Sequence, residues 1–164
     1  MSTQPYLFLN AGGGEKLAFL DDSELIIRTP GDETGAPAHY EYVAKPAAKG
    51  SPQHVHRRHD ETFLVVEGQF EFTLGTTTVR ADPGSFLLVR RGQPHGFRNS
   101  GAARGRIVGT FAPYFAQYFR ELAQIIARTG AAPPLEDWVK LYGRYDTTFY
   151  DGPPPSPQGP QTQR

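Results

Sequence analysis

Three side chains able to bind a metal stand close together in the stretch GSPQHVHRRHDETFLVVEG, residues 50–68: His54, His56 and Glu61. A fourth, His95, stands in GSFLLVRRGQPHGFRN, residues 84–99. His54 and His56 are one residue apart. On a β-strand alternate side chains share a face, so both imidazoles point the same way and suit neighbouring positions on one metal. Glu61 follows beyond a charged bend, Arg57-Arg58-His59-Asp60, and a chain reversal there brings its carboxylate to the same centre. His95 has to be delivered by a later strand. The set offers three nitrogens, one oxygen and no sulfur, which suits one divalent transition metal (Mn, Fe, Co, Ni, Cu or Zn) and suits Ca or Mg poorly. The chain has no cysteine, so thiolate ligands, disulfides and a cysteine nucleophile are excluded.

The elements around these residues read as short strands. Lys16–Leu20 and Glu24–Thr29 are apolar runs separated by Asp21-Asp22-Ser23, and His39–Ala44 alternates large and polar residues. Thr62–Glu67, Gln69–Leu74, Thr77–Ala81, Ser85–Val89, His95–Arg98 and Arg106–Phe111 follow, with Gly68, Gly75-Thr76, Asp82-Pro83-Gly84, Arg91-Gly92-Gln93-Pro94 and Asn99-Ser100-Gly101 as breaks. Short strands with turns at this spacing predict an all-β antiparallel sandwich or barrel. After Phe111 the pattern changes. Tyr114, Phe115, Tyr118, Phe119, Leu122, Ile125 and Ile126 recur at helical spacing up to Gly130, and Leu135–Tyr142 forms a second, shorter helix after Pro133-Pro134. The predicted organisation is an N-terminal arm or edge segment at 1–14, a β-barrel at 15–112, a helical extension at 113–150 and a disordered Pro-rich tail at 151–164.

A length of 164 residues suits one domain with a sizeable core. Lys plus Arg and Asp plus Glu are both 17, so no nucleic-acid or membrane-surface partner is indicated. No apolar run is long enough to span a bilayer and the N-terminus lacks a basic start, so a cytoplasmic location is expected. A homodimer is expected as well, because apolar edge strands of small barrels need cover. His59 reads as a solvated bend residue and Arg57 and Arg58 as solvated cations. His39 shares a strand face with Glu41. Tyr40, Tyr42, Phe63, Phe70, Phe72, Phe86 and Phe97 read as core or packing residues, a few of them lining a pocket.

The two stretches resemble the paired motifs of the cupin superfamily. His54, His56, Glu61 and Gly68 are similar to the first motif, and Gly84, Gly92, His95 and Asn99 to the second. Two positions depart from it: Gly50 lies four residues before His54 rather than six, and Arg90 stands where a proline is usual. The resemblance implies a double-stranded β-helix (jelly-roll) barrel with a small-molecule cavity. The helical extension and the stretch Tyr145–Phe149 resemble the end of bacterial quercetin dioxygenase-like cupins of one domain. That implies a metal-dependent dioxygenase acting on an enolisable, flavonol-like aromatic, with Glu61 as both ligand and catalytic base and a helix closing the cavity. A metal-dependent cyclase or isomerase of a polyketide or sugar, and a non-catalytic small-molecule binder, are the alternatives.

Overall fold

The alternation of apolar and polar residues along each predicted strand becomes a pair of facing sheets in the computed structural model, which describes residues 6–154 except Leu20, Asp22 and Glu33. The strands are β1 (Glu15–Ala18), β2 (Glu24–Thr29), β3 (Ala38–Ala44), β4 (Ser51–His56), β5 (Glu61–Glu67), β6 (Phe70–Leu74), β7 (Thr77–Ala81), β8 (Phe86–Val89), β9 (His95–Asn99), β10 (Gly105–Phe111) and β11 (Thr147–Phe149). The helices α1 (Phe115–Thr129) and α2 (Leu135–Arg144) lie between β10 and β11. One sheet has the order β1-β2-β3-β10-β5-β8, the other β11-β4-β9-β6-β7, and every pairing is antiparallel. Along most of the barrel the chain steps from one sheet to the other, which winds it into a jelly roll.

The inner faces meet in an aromatic core. Tyr40, Tyr42 and Ala44 of β3, Phe63 and Val65 of β5, Phe70 and Phe72 of β6, and Ile107 and Phe111 of β10 are buried at alternate positions. Their strand neighbours remain exposed or half-buried. Gly50 turns the chain into β4 at φ +62°, with its α-carbon so near the Phe97 carbonyl that a Cβ would lie 2.1 Å from that oxygen. Only glycine fits there. The displaced leading glycine is therefore structurally required at its own position.

Both helices are amphipathic. Phe115, Tyr118 and Leu122 of α1 and Leu141 and Tyr142 of α2 are buried. Gly130 ends α1 in a left-handed conformation, its N–H donating to the Ile126 carbonyl at 2.8 Å. The segment after α2 is not helical to its end. It returns to the barrel as β11 and pairs with β4, with Thr147 opposite His56 and Phe149 opposite His54. The aromatic spacing of the helices says nothing of this, since a three-residue strand has no periodicity to read. Residues 1–5 of the expected arm and 155–164 of the expected disordered tail lie outside the described residues. Of the seven barrel aromatics, Phe86 is 65% exposed and faces outward from the edge strand β8. Among the described residues no helix is long and apolar enough to cross a membrane.

Candidate metal centre and its cavity

β4 carries His54 and His56 on its inner face, β5 begins with Glu61, and β9 begins with His95. All four side chains are buried, and one ligand atom from each lies within 4.8 Å of the others. The register places them. His54 stands opposite His95 across β4 and β9, and β5 enters from the facing sheet after the bend at residues 57–60. Between Ser51 and His54 the pairing with β9 slips. Pro52 sits in that irregularity, where its missing N–H costs no ladder bond.

The outer nitrogens of the three imidazoles are all engaged. His54 Nδ1 donates to the Pro52 carbonyl at 2.9 Å and His95 Nδ1 to the Gln93 carbonyl at 3.0 Å. His56 Nδ1 lies 2.8 Å from Thr147 Oγ1, and that hydroxyl donates to the Tyr145 carbonyl at 3.1 Å, so it accepts from the imidazole. In the neutral rings the proton therefore sits on Nδ1, and each Nε2 turns a lone pair inward. The inward atoms crowd one another. His54 Nε2 is 3.0 Å from His56 Nε2, and Glu61 Oε2 is 3.1 Å from His95 Nε2 and 3.3 Å from His56 Nε2. Such distances need a cation or a shared proton among the converging atoms. Burial, then the charge of His95 and His56, holds the His54 imidazole well below its usual pKa, so it resists taking up a proton instead. Burial by itself would raise the Glu61 carboxyl, but the contacts from His56 and His95 outweigh it and hold that group well below the carboxylate range. Three neutral imidazole nitrogens and one carboxylate oxygen fit a single transition-metal ion. The residues that hold the outer nitrogens are those such a site needs.

His59 departs from its expected place. It is buried rather than solvated, its ring 4.1 Å from that of His56 and its Nδ1 2.8 Å from the Tyr114 hydroxyl. Burial, then the neighbouring His56, pushes it down to about 3. Its charged sequence neighbours suggested solvent, but the start of α1, with Tyr114 and Phe115, lies over it. Its Nε2 is buried without a hydrogen-bond partner. Arg57 and Arg58 are exposed, with Arg58 lying over the Tyr114 ring at 5.5 Å, and His39 is exposed on the outer face of β3. Thr147 was not recognisable in the sequence as a site residue, since nothing local marks a threonine 91 positions away as the partner of His56.

From His54 and Glu61 a cavity of about 240 Å³ runs between the sheets and the helices. Its barrel wall is aromatic, with Tyr40, Tyr42 and Phe97, and helix α1 adds Phe115, Tyr118 and Phe119. From α2 come Trp138 and Tyr142. Asp21, Ser23, Lys49 and Ser51 also line it, besides His54, Glu61 and the polar groups of the tyrosines and the tryptophan. Trp138 Nε1 donates to the Tyr118 hydroxyl at 3.1 Å, and Tyr142 stacks on Tyr118 at 4.9 Å, so the helices form a continuous aromatic cover.

The cupin domain family profile matches residues 40–111, which contain all four candidate ligands. The chain is similar to quercetin 2,3-dioxygenase of Bacillus subtilis (strain 168), with 29% identity over 121 residues. The matched region covers 72% of this chain and 34% of that enzyme, so the chain spans about a third of its relative's length. Among solved structures it is similar to KdgF from Halomonas sp., at 21% identity and a TM-score of 0.55, covering 67% of this chain and 94% of that one. It is also similar to a sugar phosphate isomerase from the cupin superfamily of Silicibacter pomeroyi, at 20% identity and a TM-score of 0.56, covering 65% and 75%. At these identities the two structures share the fold.

Proposed function

We propose that this cupin is a metal-dependent dioxygenase acting on a flat, enolisable aromatic substrate of the flavonol kind. The observation that carries the reading is the junction of the four-residue ligand set with a cavity walled by aromatic rings. A planar polycyclic molecule fits such a wall by stacking. A sugar needs many hydroxyl partners, and the exposed wall of this cavity is mostly apolar. Similarity to quercetin 2,3-dioxygenase of Bacillus subtilis supports the same reading.

His54, His56, Glu61 and His95 would hold the ion. A bound divalent transition metal supplies Lewis acidity, lowering the pKa of a substrate hydroxyl beside it. Glu61 takes the hydroxyl proton, because its carboxylate lies in the cavity wall within reach of a substrate hydroxyl there. Tyr40 steadies that carboxylate by donating to Oε1 at 3.2 Å. Tyr142 and Phe97 stack on or edge toward the bound rings, and the helices exclude water from the reacting face. A homodimer belongs to the same reading, supported by the exposed apolar side chains Leu64, Val66, Phe86 and Leu88 along the β5–β8 edge. The test is oxygen uptake with flavonols after reconstitution with Mn, Fe, Co, Ni, Cu or Zn separately. Consumption of one O₂ per substrate, abolished by Glu61→Ala, is expected. Binding without uptake under every metal would overturn the dioxygenase reading in favour of a cyclase, isomerase or binder.

A further inference from the structure

The four ligands come from residues 54–95, yet the groups that hold them do not all come from the same part of the chain. His54 and His95 are fixed by carbonyls of their own strands' approaches, Pro52 and Gln93. His56 is fixed by Thr147, on the far side of both helices. The Thr147 side chain is buried, and its hydroxyl is oriented by donating to the Tyr145 carbonyl. Strand register keeps it there, with Thr147 opposite His56 and bonds from Arg57 N–H to the Asp146 carbonyl and from Tyr150 N–H to the Gln53 carbonyl bracing either end of β11. The neighbouring elements press on the same rings. Phe115 of α1 meets His56 edge-on at 4.6 Å, and Tyr142 of α2 stacks on His54 at 5.6 Å.

We infer that the C-terminal segment is part of the metal centre, with Thr147 as a positioning residue that sets the tautomer and ring plane of His56, so that docking of β11 and metal binding are coupled. The inference rests on the metal-centre reading above. Its physical content is linkage. A hydroxyl that holds His56 with its lone pair inward raises metal affinity, and by reciprocity a bound metal stabilises the docked strand to the same extent. β11 has only three residues and sits at a sheet edge, so it has little pairing of its own to hold it and is sensitive to such a gain.

The experiment is a Co²⁺ titration of the metal-free full chain, followed by visible absorption, for the wild type, Thr147→Val and Thr147→Ser. The wild type should bind one equivalent. Thr147→Val keeps the shape and loses the hydroxyl, and should weaken binding by roughly 10–100-fold, while Thr147→Ser stays within a few-fold of wild type. Amide exchange on the wild type should slow at residues 145–150 on adding Co²⁺, with the β6–β7 hairpin as the unaffected reference. A wild type that takes up no metal overturns the metal-centre reading and this proposal with it. A wild type that binds, beside a Thr147→Val that binds equally or an unchanged exchange at 145–150, overturns the coupling alone. Should Thr147→Val fail to fold, the exchange measurement decides.

Discussion

The phenol of Tyr40 donates to Oε1 of Glu61 across 3.2 Å, deep in the barrel, and leaves Oε2 to face His56 and His95. Burial, then the charge of Glu61, raises the Tyr40 hydroxyl well above its usual pKa, so the donor keeps its proton at any working pH. The ring has room because Gly109 stands opposite, where a Cβ would come within 2.8 Å of the Tyr40 hydroxyl and 2.1 Å of the Thr62 carbonyl. Tyr40→Phe should cost about 1–3 kcal/mol through a buried carboxylate oxygen left without its donor. It should also lower kcat more than it raises KM, since Glu61 loses its orientation. Thermal melts of the metal-free protein and steady-state kinetics check the two halves. An unchanged melting curve would show that the bond carries no stability.

Removing a ligand should differ from an ordinary core truncation in its response to metal. In the metal-free protein His95 Nε2 lies 3.1 Å from Glu61 Oε2 and helps to hold that carboxylate ionised, so His95→Ala removes this contact and opens a cavity. Its metal-free melting temperature is expected below wild type, as for other buried truncations. What it should lose is the gain on adding metal, which for a wild type at a hundredfold excess over Kd is about 2.7 kcal/mol. Melts with and without metal separate the terms. A metal-induced shift as large as that of the wild type would show that His95 is not a ligand.

Trp138 is the sole tryptophan, and it lines the cavity. Occupation of the cavity by a planar aromatic should therefore quench or shift its emission, and a monosaccharide should leave it unchanged. Trp138→Phe removes the signal and keeps an aromatic wall, so binding followed by another method should persist within a few-fold. Equal responses to sugars and flavonols would contradict the substrate class.

Acid should destabilise the protein early. His59 is pushed down to about 3, and His54 lies well below its usual value, both through burial first. In the unfolded chain both titrate near 6.5. Below that value the unfolded state binds protons that the folded state refuses, so stability falls as pH falls towards about 3. The full contribution is present above 6.5. Glu61 acts in the same sense below 4.5, since its folded-state pKa is depressed too. Urea midpoints for the metal-free protein should drop steadily between pH 7 and pH 4, and a flat profile would contradict the buried neutral imidazoles.

The sequence by itself determined the strand character of the barrel, the two helices and the four candidate ligands. Each of these is a local matter. Period-two alternation marks a strand face, as in His54 and His56, and apolar residues at helical spacing mark α1. Glycines and prolines mark the turns between, and the lack of cysteine limits the donors to nitrogen and oxygen. Only the tertiary structure decided what surrounds the ligands. His59 was buried by the start of α1 despite its charged neighbours, Tyr40, Tyr42 and Phe97 were turned into the cavity while Phe86 was turned out, and Thr147 was carried back onto His56. The physical reason is that burial and hydrogen-bond partnership across 91 residues depend on strand register and helix packing. Neither leaves a local trace in residue type or spacing.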